Sequence, residues 1–464
     1  MKKQRIGNDK VTDISVDNDG NCVSVGVRHA CRWQLQNCRF KRRKILAKKI
    51  ANLRQELCCS TMFQNGKICV LGATNGDVYI CKDRTIVRKI VAHNGAVRVI
   101  FAESDSSFLT AGADGYVKRF SLEHDKNSES VVMEIPKADI VCLSRDHDDS
   151  IILTTSRAEI YRCATEDSKQ NLLLSCHYGN EICGVVALSS SECTSCGEDG
   201  TVRVWNLEHH KQICVRDVGG RATSISYDPT EKRLVVCVQR HHKDKTIELV
   251  ELDASTLKEL RRLETKARKP CRVVQFSPDG RMIALASNDH NIYLHASANL
   301  KCRHVLGKHN AVVQNLDWTS DSRYLHSTCA GHELLFWDAE RGQHMPGGAT
   351  TLRDAEWASW TCTLGWPVKG LDVNTEDQSI CFVSASNNSK LLVCGYDTGN
   401  VRLVHYPCPD SAGSVLKRGH ASKMCRADWI HGGTSSKLGF VTAGSRDAAL
   451  IQWNLYMSSD TSSS

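Results

Sequence analysis

Short apolar runs return along this chain at intervals of roughly 40 residues, most followed by a tight-turn signal and a second run of alternating apolar and polar positions. The stretches "FLTAGADGYVKRF", "CTSCGEDGTVRVW", "IALASNDHNIYLH", "LLVCGYDTGNVRLV" and "FVTAGSRDAALIQW" carry the pattern. A two-residue period on both sides of a short turn predicts antiparallel hairpins, so the expected class is all-β. Ten such units begin near Val11, Gln55, Ala96, Ala138, Ile182, Arg221, Cys271, Ala311, Leu371 and Lys423. Repetition on this scale predicts stacked copies of one small sheet, each burying its faces against its neighbours.

Each hairpin resembles the middle of a WD repeat, where a small residue and an Asp precede the turn and an aromatic follows. The spacing has a physical basis. The Asp accepts hydrogen bonds from turn amides and from a preceding His, while a strand hydroxyl and an indole N–H extend the network. His177, Ser195, Asp199 and Trp205 form a complete set. His93, Thr110 and Asp114 keep three members, with Phe120 in the Trp position. His420, Asp447 and Trp453 recur near the end, with Ala443 where the hydroxyl is expected. Gly331 replaces the Asp ahead of Trp337, and His295 replaces the aromatic after Asp289. Such tetrads are expected to stabilise the fold and carry no activity. Because a single propeller has four to eight blades, ten units predict WD-repeat β-propellers in tandem, the first incomplete. The expected division is a partial propeller of about three blades over 1–137, a second of about seven over 138–457, and a disordered tail over 458–464.

Composition narrows the chemistry. With 41% hydrophobic and 24% charged residues, and 31 Gly against 8 Pro, the chain has the make-up of an ordered, turn-rich protein. Its start, "MKKQRIGNDKVTDISVD", lacks the apolar core of a secretory signal, and no window approaches eighteen uninterrupted apolar residues. A cytosolic or nuclear location without membrane insertion is therefore expected. In a reducing compartment the 23 cysteines read as small buried hydrophobes. Cys193 and Cys196 have C-x-x-C spacing, yet positions i and i+3 of a strand face opposite sides and no second pair follows, so they are read as structural. The chain contains no phosphate-binding loop, zinc-protease or nucleophile-elbow motif, so no catalytic residue, cofactor or metal is predicted and an enzyme is not expected.

The formal charge of +8 is unevenly spread, for Arg39 to Arg54 gathers eight Lys and Arg and no acid. This run is read first as a solvated loop or short amphipathic helix. Its Arg39, Lys41, Arg42, Arg43, Lys44, Lys48 and Lys49 are also candidate contacts for an acidic partner, and a nuclear-localisation signal is a third reading. "RHHKDK", Arg240 to Lys245, is expected to be a hairpin loop, and "KELRRLETKARK", Lys258 to Lys269, is a second basic stretch. No nucleic-acid-binding module is recognisable, so nucleic acid is not an expected partner.

The last third is more particular. "NAVVQNLDWTSDSRYLHSTCAGHELLFWDAERG", "LRDAEWASWTCTLGWPVKG" and "VRLVHYPCPDSAGSVLKRGHAS" closely resemble the second propeller of the echinoderm microtubule-associated protein-like family. The "WASWTCTLGWPV" element resembles that family's insertion between two blades. The resemblance implies that Trp357, Trp360 and Trp366 are packing anchors seating an irregular segment, and a bare aromatic ligand cage is the alternative. It also implies a cytoplasmic, cytoskeletal scaffold that binds tubulin or microtubules, with other proteins on its rims. The family's upstream hydrophobic motif and trimerising coiled coil are not found, so a shortened relative or incomplete gene product is expected. A general WD-repeat adaptor, such as a ubiquitin-ligase substrate receptor or a ciliary assembly component, is the other function carried forward.

Overall fold

The computed structural model describes residues 10–36, 39–46, 56–64, 66–123, 130–136, 138–146, 148–164, 170–179, 181–240, 246–374, 379–410, 413–430 and 438–455. Ten antiparallel sheets follow one another along the chain, each a meander whose strands keep sequence order. They span 11–44, 57–91, 97–134, 140–175, 182–217, 221–264, 271–306, 313–344, 380–418 and 424–455. Nine have four strands, and the tenth has three among the described residues.

The burial pattern explains why some runs alternate and others do not. Second strands such as Ile68–Ala73, Ser107–Gly112 and Glu192–Gly197 are buried at nearly every position because both faces of each sheet are covered. Fourth strands lie outermost, so Lys211–Asp217 alternates between half-buried and exposed and Ser414–Arg418 is exposed throughout. Glycine is required at the turns between the second and third strands. Gly76 and Gly399 have φ of 89° and 84°, and a Cβ there would sit 1.9 Å and 2.2 Å from the carbonyl oxygens of His93 and His420.

The chain divides into two compact units, Met1–Cys176 and His177–Ser464. In the first, hydrophobic clusters join the first sheet to the second, the second to the third and the third to the fourth. In the second, clusters run from the fifth sheet to the eighth and on from the ninth to the tenth. Ile182, Val185 and Cys193 of the fifth sheet then pack on Val441 and Ala443 of the tenth. The Ile182 amide bonds to the Ser445 carbonyl at 3.0 Å across this seam, and the ring is closed.

The boundary lies after Cys176, not at Lys137, which is itself outside the described residues. The physical reason is the sheet over 140–175. Its Ile140, Leu143, Ile151 and Leu153 share a core with Leu109, Ala111 and Val117, while the tenth sheet claims the face of the fifth. The units therefore hold four and six sheets where three and seven were expected. The tail at 458–464 also lies outside the described residues.

Candidate interaction site

Among the described residues, four networks in which a histidine precedes the hydroxyl in the chain lock individual sheets. His177 Nε2 lies 2.7 Å from Ser195 Oγ, Trp205 Nε1 donates to the same oxygen at 2.8 Å, and His177 Nδ1 lies 3.0 Å from Asp199. Burial would raise the Asp199 pKa, but His177 and the Thr201 amide and hydroxyl outweigh it and hold the carboxylate charged. In the third sheet His93 reaches Thr110 and Asp114, each at 2.8 Å. Phe120, lacking an N–H, stacks on Phe108 with centroids 5.6 Å apart.

The tenth sheet departs from the expected pattern, because the hydroxyl comes from Thr442 and Ala443 has no part in the network. His420 Nε2 lies 2.9 Å from Thr442 Oγ1, Trp453 Nε1 donates to that oxygen at 2.9 Å, and His420 Nδ1 lies 3.1 Å from Asp447. The turn "GSRDA" is one residue longer than "GEDG", so counting back from the Asp lands one position late. The fourth network, His309, Ser327 and Trp337, has no Asp. Its spacings match those of His177, Ser195 and Trp205, 18 and 10 residues, and that regularity was available in the sequence. A further variant in the first sheet joins Ser24, His29 and Trp33, with the His after the hydroxyl in the chain.

The inserted segment fills the gap between the eighth and ninth sheets. Asp317, at the end of strand Val313–Trp318, is fully buried. It accepts from Ser359 Oγ at 2.6 Å and from the amides of Thr361 at 2.8 Å and Cys362 at 3.0 Å. The Ala358 amide bonds to the Trp318 carbonyl, and on the far side the Ala385 amide bonds to the Trp360 carbonyl. His326 lies 3.0 Å from Asp317, with Trp357 stacked on it at 3.8 Å and Trp360 edge-on at 4.6 Å. Burial raises the Asp317 carboxyl, but His326, Ser359 and the Thr361 amide together hold its pKa down to about 2. Asp317, His326 and Cys362 bring three metal-ligating side chains together. With the carboxylate occupied by these donors, they read as a hydrogen-bonded clamp.

Trp357 and Trp360 therefore pack as anchors, and Trp366 does not. Trp366 opens the 3-10 helix Trp366–Asn374 and is 64% exposed, while Val368 and Leu371 of that helix enter the core. The Pro367 carbonyl and the Gly370 amide bond to the backbone of Cys408, which fixes the helix with its first residue outward.

The basic run is neither a loop nor a helix where it is described. Arg39–Lys44 is the outer strand of the first sheet, with Lys41, Arg42 and Lys44 exposed. The Arg42 guanidinium lies over Trp33, 5.7 Å from the ring centroid. Lys48 and Lys49 lie outside the described residues, as do 241–245 of the expected Arg240 to Lys245 hairpin loop. In the stretch from Lys258 to Lys269, Arg261 bonds Glu251, and Arg262 bonds Glu248 and Glu259 at 2.7 Å and 2.9 Å, so these guanidiniums are already neutralised. Cys193 and Cys196 are both buried but belong to different clusters on opposite faces of their sheet.

Residues 185–455, more than half of the 464, match the family model described as the echinoderm microtubule-associated protein second beta-propeller. The chain belongs to this family. Among curated relatives, echinoderm microtubule-associated protein-like 2 of Rattus norvegicus is 27% identical over 446 residues, covering 93% of this chain. The 77 kDa echinoderm microtubule-associated protein of Strongylocentrotus purpuratus is 26% identical over 458 residues, 94% of this chain. A ciliary WD repeat-containing protein, ctxp80, of Euplotoides octocarinatus is 24% identical over 478 residues, 98% of this chain. This family member spans 66%, 63% and 64% of those relatives' own lengths, just under two thirds. Among its described residues no helix is long and apolar enough to cross a membrane.

Proposed function

We propose that this chain is a non-catalytic scaffold of the cytoplasmic cytoskeleton that binds tubulin or microtubules through its propeller surfaces. The observation that carries the reading is the family match over 185–455 together with relatives named as microtubule-associated. Two features suit such a partner. Trp366 is a large aromatic held outward on a rigid inserted segment, the kind of anchor that dominates protein interfaces. Lys41, Arg42 and Lys44 on an outer strand offer charge to the acidic tubulin surface, with an attraction that weakens as salt rises. The test is size-exclusion chromatography of the purified chain with and without soluble tubulin, paired with pelleting on stabilised microtubules. Co-elution without pelleting supports handling of free subunits; pelleting as well supports lattice binding. Neither would leave the fold without this partner, and the ciliary relative then favours the second reading, an adaptor in a ciliary assembly.

A further inference from the structure

Three of the four histidine networks share a feature that the fourth has lost. Two residues after the hydroxyl stand Gly112, Gly197 and Gly444. A Cβ at these positions would lie 2.7, 2.9 and 2.3 Å from the Nδ1 atoms of His93, His177 and His420. Glycine therefore keeps the imidazole–carboxylate contact closed, at 2.8 to 3.1 Å. In the eighth sheet the same position is Cys329, the Asp position is Gly331, and the carboxylate facing the histidine belongs to Glu333. His309 Nδ1 lies 3.6 Å from Glu333 and, although its side chain is fully buried, has no hydrogen-bond partner. Cys329 Sγ lies 3.5 Å from Glu333 Oε2, and one ligand atom from each of the three residues falls within 4.8 Å of the others.

We propose that His309, Cys329 and Glu333 form a binding site for a zinc-class divalent transition-metal ion. The donor set is one imidazole nitrogen, one thiolate and one carboxylate, which suits a borderline-soft tetrahedral ion and leaves the fourth position to water. The supporting shell is in place. His309 Nε2 lies 2.7 Å from Ser327 Oγ, which also accepts from Trp337 Nε1, so with Nε2 donating, the Nδ1 lone pair is held toward the cluster. The Asn310 amide and side chain donate to Glu333 at 3.2 Å and 2.9 Å and fix the carboxylate. On binding, the Cys329 thiol releases its proton to solvent and the thiolate bonds the ion. The ion then takes up the His309 nitrogen that is left without a partner where Gly331 stands in the Asp position. Nothing in this assignment depends on a tubulin partner.

The full chain, stripped of metal and reduced, is titrated with Co²⁺ as a spectroscopic probe and then with Zn²⁺. The expected result is a thiolate-to-cobalt charge-transfer band that saturates at one equivalent and is displaced by Zn²⁺. Cys329→Gly restores the residue that the other networks carry, so it is expected to fold and to lose the band. Glu333→Gln is expected to weaken binding at least about tenfold. Cys142→Ser, at an exposed cysteine elsewhere, should leave the titration unchanged. Zn²⁺ should raise the melting temperature of the wild type and not of Cys329→Gly. Absence of the band in the wild type at one equivalent, its persistence in Cys329→Gly, or unchanged affinity in Glu333→Gln would overturn the assignment.

Discussion

The two units are built from the same sheet and solve the same problem differently. In the first, three clusters tie four sheets into a row. In the second, six sheets close on themselves, and one step of the ring is made by a segment that is not a sheet. The step from sheet to sheet uses one device in both: a polar side chain on the first strand accepts an amide from the next element. Asp13 accepts from Ser60 at 2.7 Å in the first unit. In the ring, Ser226 accepts from Phe276 at 3.1 Å, and Asp428 from Ala187 at 2.8 Å across the closing seam. Asp317 plays this part toward the inserted segment, with more donors and deeper burial. An irregular segment has no ladder to hold it, so one carboxylate collects the hydrogen bonds that a strand would have spread along its length.

The sharpest way to break this comparison is to remove the two carboxylates separately. Asp317→Ala orphans buried donors on Ser359, Thr361 and Cys362 and should cost about 4 kcal/mol. The adjacent Trp360→Ala should cost a similar ~3–5 kcal/mol through its cavity. Asp13→Ala, at a part-exposed site whose donors among the described residues are on Ser60, should cost about 1–2 kcal/mol. Urea denaturation measures all three, and limited proteolysis should cut Asp317→Ala within the inserted segment first. Equal losses for Asp317 and Asp13 would mean that the clamp is no stronger than an ordinary step.

Acid should act on the ring through the same buried carboxylate. The Asp317 carboxyl lies below its ordinary value of 3.8 in the folded state, at about 2. The unfolded chain binds that proton first as pH falls, so the stabilisation is fully present above pH ~4 and is lost between there and about 2. Burial also lowers His309 and His420 below 6.5, which adds a milder loss as pH drops beneath that value. Denaturation as a function of pH should show the steep limb in the wild type and a flatter one in Asp317→Asn.

A smaller change tests how far the sequence could be read. All ten repeats, their order and nearly all their starting points were legible, because both-face burial of the second strands writes continuous apolar runs between turn glycines. The grouping of repeats was not legible. Membership of the fourth sheet is decided by which face Ile140 and Leu153 meet, and every sheet presents similar apolar faces. Among the tetrads, His177 with Ser195, Asp199 and Trp205 follows directly from spacing, whereas Thr442 was hidden by a one-residue turn insertion and Glu333 by the loss of the expected Asp. Asp317 had no periodic signal at all, since its partners come from the irregular segment. Thr442→Val should therefore cost about 1–2 kcal/mol, as Ser195→Ala should, because each orphans a His nitrogen and an indole N–H. Ala443→Ser should not rescue Thr442→Val, and rescue would return the hydroxyl to the neighbouring position.

The smallest stability change should come from the third tryptophan of the insertion. Trp360 and Trp366 share one segment, one inside the ring core and the other 64% exposed. Trp366→Ala should leave the unfolding free energy within about 0.5 kcal/mol of the wild type, because the ring makes little contact that is lost. An exposed tryptophan on a rigid support nevertheless contributes contact area to a partner at low entropic cost, so tubulin co-elution should weaken by at least about tenfold. Lys41→Glu tests the charged strand of the first unit in the same assay and should instead change the salt dependence. If Trp366→Ala binds tubulin as the wild type does while Lys41→Glu does not, the contact belongs to the row of sheets and not to the ring. The insertion would then be a device for closing the ring, and Trp366 an exposed by-product of the helix that seats Val368 and Leu371.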